Sequence, residues 1–403
     1  MCSQSYVNCN SLFSFIRPSF LVFLQIKLTP LKYYLIAGEA SGDLHASNLM
    51  KALLKFDASS EFRFWGGDKM AAVGGESVKH IKDLAFMGFG EVVANLGTIL
   101  SNIKLCKADL LKYKPDALIL IDYPGFNLRI AKFAKANGIK VHYYISPQVW
   151  AWKQNRVYKI KKVVDELYCI LPFEKDFYKK FEMDVHYVGH PLVDAIQEFR
   201  KSALSQSEFL QQNKLEDKKI LALLPGSRQQ EIKIKLPIML AAAKAFGDFQ
   251  ILIAGAPNLP TEYYQSLANG QKIHVLQNQT YNLLNNATIA MVTSGTATLE
   301  TALFKVPEVV CYKGSNISYQ IAKRLIKVKY ISLVNLIMDK PIVTELIQHD
   351  LTAKNIIEDL KLLIDTKTKK SVMLQNDYAV LEQKLGGGGA SEKVAQLILS
   401  SFK

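Results

Sequence analysis

The chain has 403 residues, 49% of them hydrophobic and 21% charged, a globular composition with length enough for two or three domains. Fifty basic residues against 36 acidic ones give a formal charge of +14, which suits nucleic acid, a phosphorylated substrate or an anionic membrane surface without choosing among them. The five cysteines, Cys2, Cys9, Cys106, Cys169 and Cys311, show no CxxC and no zinc-like histidine spacing, so they read as reduced thiols of a cytosolic protein and argue against a structural metal.

Residues 1–31 read as an extension outside the fold. The stretch "LFSFIRPSFLVFLQIKL" has signal-like length, but Arg17 and Pro18 interrupt it and no small-residue cleavage site follows. It is also short for a bilayer span. The natural start is expected near Leu31, with an initiating UUG or CUG codon read as an internal leucine.

From Lys32 onward, apolar runs alternate with helical patterns: "KYYLIA" (32–37), "ALILID" (117–122), "KVHYYI" (140–145), "KILALLP" (219–225), "FQILIAG" (249–255) and "ATIAMVTSG" (287–295). Unbroken apolar runs flanked by helices indicate parallel strands covered on both faces, so the fold class is α/β. The polar stretch 197–218 carries no strand, and the alternation restarts after it. Two doubly wound, Rossmann-like domains are expected, 32–205 and 206–385, facing a cleft lined by loops from the carboxyl ends of both sheets. Residues 386–403 read as a Gly-rich hinge and a last helix with Ser391 as its N-cap.

The candidate sites follow in chain order. "LIAGEASGDLHA" (35–46) resembles a dinucleotide-binding turn only weakly, because Gly38 and Gly42 stand four apart and Glu39 and Asp43 would repel a phosphate. The apolar stretch 85–111, with Phe89, Val92, Val93 and Leu96, is either a core helix or a lysine-rimmed patch that dips into a membrane. In "LILIDYPGFNLRIA" (118–131), Asp122 ends a buried strand, where burial would raise its pKa and suit it to general-base work; the competing role is turn capping. Asn127 is the expected N-cap of the next helix. "SPQVWAW" (146–152) places Gln148, Trp150 and Trp152 where aromatic rings either stack on a ligand or plug the core.

The second half offers two phosphate-friendly loops. In "LLPGSRQQEI" (223–232), Arg228 stands just before a helix, and its guanidinium together with helix-start amides would make a diphosphate site; a solvated Arg in a plain βα turn is the alternative. In "VTSGTATLETAL" (292–303), Ser294, Gly295 and Thr296 offer amide and hydroxyl donors, and Glu300 one turn later could accept bonds from both hydroxyls of a ribose. Together they argue for a nucleoside diphosphate. There is no Walker A motif, and no acidic cluster suggests magnesium.

"GEASGD", "GGDKM", "FMGFGEV", "IDYPGFN", "SPQVWAW", "LPFEKDFY", "VGHPLVD", "LLPGSR", "SGTATLE" and "SLVNL" stand in the order found in lipid A disaccharide synthases. Over residues 32 to 396 the chain resembles that family. The resemblance implies a two-domain inverting glycosyltransferase of GT-B type, peripheral on the cytoplasmic face of the inner membrane and in contact with its anionic surface. It implies transfer of the diacylglucosaminyl group of UDP-2,3-diacylglucosamine to 2,3-diacylglucosamine 1-phosphate, giving a β(1→6) disaccharide and UDP with no metal or other cofactor.

Residue by residue, the resemblance makes Asp122 the base and Arg228 the group that steadies the departing diphosphate. Ser294, Gly295, Thr296, Glu300 and Asn335 then serve the nucleotide. Glu39 joins Asp122 and Arg228 in the expected catalytic set from the acceptor side of the cleft, where Ser41, Gln148 and Trp150 are also expected. The chain departs from the family pattern at Val334, where a proline usually stands. No nucleic acid is implied, and no oligomeric state. The rival readings are another GT-B enzyme acting on a UDP-sugar, such as a UDP-N-acetylglucosamine transferase or epimerase, and a non-catalytic membrane or nucleic-acid binder.

Overall fold

A computed structural model describes residues 30–84, 96–315, 319–320 and 328–402. The first sheet contains β1 (Lys32–Ala37), β2 (Glu61–Gly66), β3 (Glu76–His80), β4 (Ala117–Ile121), β5 (Lys140–Tyr144), β6 (Glu166–Cys169) and β7 (His186–Tyr187). The second contains β8 (Lys219–Leu224), β9 (Phe249–Gly255), β10 (His274–Gln277), β11 (Ile289–Thr293), β12 (Glu308–Tyr312) and β13 (Thr344–Ile347). Their spatial orders are β3-β2-β1-β4-β5-β6-β7 and β10-β9-β8-β11-β12-β13, with parallel pairing throughout.

The apolar runs are continuous because each strand is covered twice. In β1, Tyr34 and Ile36 enter one core while Tyr33, Leu35 and Ala37 enter another. In β8, Leu221 and Leu223 face one side and Ile220, Ala222 and Leu224 the other. Alternating side chains thus have an apolar destination on both faces, as parallel sheets require.

In both sheets the winding direction reverses once, between β1 and β4 in the first and between β8 and β11 in the second. At such a reversal the flanking helices leave on opposite sides, and the loops at the strand carboxyl ends open a crevice. These two crevices hold the sites described below.

The chain returns to the first sheet at its end. The helix Ala390–Ser400 packs on the helix Ala40–Phe56, burying Val394, Ala395 and Ile398 against the underside of β1. Its N-terminus is capped from a distance: the Asp194 carboxylate accepts from the backbone N–H groups of Gly389 at 2.5 Å and Ala390 at 2.9 Å. Ser391 is therefore not the cap; it lies one residue inside the helix and is buried. Asp194 belongs to the helix Pro191–Arg200, which also reaches the second half, where Arg200 donates to the Leu303 carbonyl at 3.2 Å. Among the described residues no helix is long and apolar enough to cross a membrane.

Candidate active site

At the crevice of the first sheet, a side-chain ring from one strand end packs on the backbone of the other. Gly38 follows β1 and Tyr123 follows β4, and the Tyr123 ring lies so close over Gly38 that any Cβ there would run into it. Gly42, one turn into the next helix, packs against Ala37 and Ile121, where a Cβ would come within 3.3 Å of Ala37. The two glycines serve close packing at the switch point; the missing third glycine of a phosphate turn is not needed for that.

Asp122 sits at this switch point with a left-handed backbone (φ 44°), as does Tyr123 (φ 49°), a conformation that non-glycine residues seldom adopt. Its main chain is held on three sides. The Asp122 N–H donates to the Tyr144 carbonyl at 3.1 Å, and its carbonyl accepts from the Tyr143 hydroxyl at 2.5 Å and the Asn127 amide at 2.7 Å. Asn127 is thus a tie-back to the strand end rather than an N-cap; the helix begins earlier, at Pro124. Burial, with a smaller contribution from the nearby Glu39 charge, pushes the Asp122 carboxyl up to about 6.

The two carboxylates of the first loop separate by direction. Asp43 is buried and accepts from the backbone N–H groups of Gly67 (2.7 Å), Met70 (3.1 Å) and Lys69 (3.1 Å), so it orders the turn into the helix Asp68–Val73. Glu39 and Ser41 are exposed at the start of the helix Ala40–Phe56, on the same strand end as Gly38.

The "SPQVWAW" loop follows β5 and is anchored from below. Ile145 takes a left-handed φ of 65°, unusual for a β-branched residue, and Ser146 hydrogen-bonds the Tyr178 hydroxyl at 2.7 Å. Trp150 is a core plug: it is 7% exposed and meets Phe173 edge-on at 5.0 Å. Gln148 and Trp152 are the exposed members.

The crevice of the second sheet is a cavity of about 420 Å³ lined by Gly226, Ser227 and Arg228 after β8 and by Ser294, Gly295, Thr296 and Glu300 after β11. Gly226 (φ 117°) and Gly295 (φ 145°) occupy matching places in the two loops, in backbone that side chains rarely adopt. Each precedes a helix, Gln229–Ala243 and Thr296–Leu303, so the first-turn amides of both helices open toward the cavity. Arg228 is exposed at the N-cap of the first helix, 3.6 Å from Glu231. Burial pushes Glu300 up to about 7.

Three details differ from the sequence-based expectation. The Ser294 hydroxyl is committed to the Ile331 carbonyl at 2.7 Å and so is turned from a ligand toward the loop that precedes Asn335. Asn335 is 1% exposed, and its amide is occupied by Ile342, Val343 and Glu345. It therefore braces the segment that Ser294 bonds to and is not in the cavity wall. Glu231, Ala254–Pro257 and Thr280 also line the cavity, and the sequence reading passed over them. The weak signal available was position: "IAGAP" ends the strand beside β8, and Glu231 stands three residues after Arg228.

Of the apolar patch, Phe89, Val92 and Val93 lie outside the described residues, and Leu96 opens the helix Leu96–Tyr113. That helix buries Ile103, Cys106 and Leu110 while Leu100, Leu105 and Leu111 are exposed among lysines.

A family model described as lipid-A-disaccharide synthetase matches residues 33–398. The lipid-A-disaccharide synthase of Geobacter metallireducens is 39% identical over 374 residues, 91% of this chain and 96% of that protein. That of Nitrosococcus oceani is also 39% identical, over 92% of this chain and 96% of its own length. Among solved structures, a UDP-GlcNAc 2-epimerase from Neisseria meningitidis bound to UDP-GlcNAc aligns with a TM-score of 0.67 at 15% identity, covering 92% of this chain and all of its own. The glycotransferase of kitacinnamycin aligns at 0.63 and 12% identity, covering 92% of this chain and 99% of its own. The structural likenesses bear on the fold alone; the sequence matches bear on the family.

Proposed function

The chain belongs to the lipid-A-disaccharide synthetase family and is a glycosyltransferase of lipid A synthesis acting on a UDP-sugar and a glycolipid acceptor, and from that premise we propose the substrates and the residues. The donor is UDP-2,3-diacylglucosamine and the acceptor 2,3-diacylglucosamine 1-phosphate. The second-sheet cavity holds the UDP, the first-sheet crevice receives the acceptor, and the two open onto one cleft. Epimerases share the architecture, but the sequence relatives are synthases, so the epimerase alternative is not favoured.

Asp122 takes the proton from the acceptor 6-hydroxyl as that oxygen attacks the anomeric carbon. With its carboxyl near 6, it is mostly ionised at neutral pH yet basic enough to accept the proton, a balance that general-base work requires. A single base on one face, with the leaving group departing from the other, inverts the anomeric centre. Arg228 and the amides at the two helix starts stabilise the charge that builds on the diphosphate as the glycosidic bond breaks. Glu300 accepts from the ribose hydroxyls. Glu39, Ser41 and Gln148 line the acceptor side.

The protein works against the cytoplasmic face of the inner membrane, held there by its basic surface and by the apolar residues around Phe89, Val92, Val93 and Leu96. Each basic side chain near an anionic leaflet contributes about 1 kcal/mol. The observation that carries the reading is the pairing of switch points, a raised carboxylate at one and a double helix-start cavity with Arg228 at the other. The test is incubation with UDP-2,3-diacylglucosamine: UDP release that requires the added monosaccharide phosphate supports it, and release without the acceptor, or an epimerised sugar, contradicts it.

A further inference from the structure

The nucleotide cavity has a charged side chain behind its wall. Lys235 stands one helical turn after Glu231 in the helix Gln229–Ala243 and is 2% exposed. Its ammonium donates to the Thr293 hydroxyl at the end of β11 and reaches the Glu231 carboxylate at 3.4 Å. It also lies behind Gly226, where a Cβ would come within 3.6 Å of it and within 2.9 Å of Glu231. Lys235 is thus wedged under the junction of both phosphate-facing loops, and three of its neighbours, Gly226, Glu231 and Thr293, form the cavity wall.

Such a lysine is costly. Burial disfavours its charge, the Glu231 carboxylate opposes that effect, and an apolar side chain of similar volume would fill the site without either. Glu231 poses a second problem, because a carboxylate in the wall repels an incoming diphosphate and pairs with Arg228 at 3.6 Å. The two facts explain each other. Glu231 lies between two cations, and Lys235 holds it from behind.

Resting on the reading of Arg228 as the diphosphate ligand, we propose that Lys235 is a positioning residue that neutralises Glu231, so that Arg228 is released to the diphosphate of the sugar nucleotide. The Thr293 contact fixes the ammonium at the strand end where it can do so. Without Lys235, Glu231 would draw Arg228 back onto itself and leave its own charge facing the ligand.

The test is UDP binding by titration calorimetry with the full chain. Lys235→Met, which leaves Glu231 without the cation behind it, should melt somewhat below wild type, remain folded at 25 °C and bind UDP about tenfold more weakly, the equivalent of roughly 1.4 kcal/mol. Glu231→Gln alone removes the charge that faces the diphosphate and holds Arg228, so it should bind UDP more tightly than wild type. Lys235→Met with Glu231→Gln should bind UDP more tightly than Lys235→Met alone and at least as well as wild type, a rescue that a merely structural role would not give. Lys235→Gln gives the same pattern and stands in if the methionine variant does not fold. Wild-type affinity in Lys235→Met and Lys235→Gln, or a loss that Glu231→Gln fails to rescue, would overturn the proposal. Arg228→Ala separates the two layers: if it weakens UDP binding while the Lys235 variants do not, only the proposal on Lys235 fails. If Arg228→Ala leaves UDP binding intact, the diphosphate reading fails and takes this proposal with it.

Discussion

Glu39 and Asp122 follow adjacent parallel strands, β1 and β4, and the Glu39 charge adds to the burial that pushes the Asp122 carboxyl up to about 6. Removing a like charge lowers a pKa. Glu39→Gln should therefore move the acidic limb of the kcat/KM profile to lower pH, while the larger shift from burial remains. UDP affinity should change less than turnover. An acidic limb that stays in place would show that the two carboxylates are not coupled in the working enzyme.

Gly38→Ala tests the contact that joins the two strand ends. The added methyl meets the Tyr123 ring, and overpacking of this kind costs about 1–3 kcal/mol. The denaturation midpoint should fall, turnover should fall with it, and Tyr123→Ser in the same chain should recover much of the stability. A Gly38→Ala variant as stable as wild type would mean that the ring is free to move away.

Glu300 is raised to about 7 by burial, so its proposed contact with the ribose would link nucleotide binding to pH. If the ionised carboxylate accepts the ribose hydroxyls, UDP affinity falls as pH drops through about 7 and the group takes up a proton. In Glu300→Gln this component disappears, and affinity above that pH drops by roughly 1.5–3 kcal/mol, the worth of a hydrogen bond to a charged group. Comparing variant with wild type by calorimetry cancels the titration of UDP itself. Equal pH dependence in the two proteins would remove Glu300 from the ribose site.

Asp194→Ala should loosen the last helix. The carboxylate caps that helix across more than 190 residues of chain, and loss of a cap costs about 0.5–2 kcal/mol. Proteolysis should then cut faster in the glycine run 386–389, with the helix Ala390–Ser400 released from the first sheet. Unchanged cleavage would show that packing of Val394, Ala395 and Ile398 holds the helix without the cap.

The central strands were readable from sequence because a strand covered on both faces is apolar along its length, whereas the two switch points follow from the strand order, which no local pattern shows. The edges were harder. "ESVKH" and "HVLQ" have only one neighbour to pair with and retain polar residues. The two cavity loops announced themselves through glycines that the backbone requires, at Gly226 and Gly295. What sequence could not give was the direction of a side chain. Asp43 and Glu39 look alike in "GEASGD", yet one caps a neighbouring turn and the other is exposed. Trp150 and Trp152 look alike in "SPQVWAW", yet one is core. Asp194, Asn335 and Lys235 act through partners distant in the chain, and no local pattern marks them.

The central claim is that Asp122 is the base. It is tested most directly by measuring turnover and UDP affinity together in Asp122→Asn. The amide keeps the shape and removes the basicity, so turnover should fall by about 10² to 10⁴, with UDP affinity and melting temperature close to wild type. Turnover near the wild-type rate in a folded, UDP-binding Asp122→Asn protein would contradict the account.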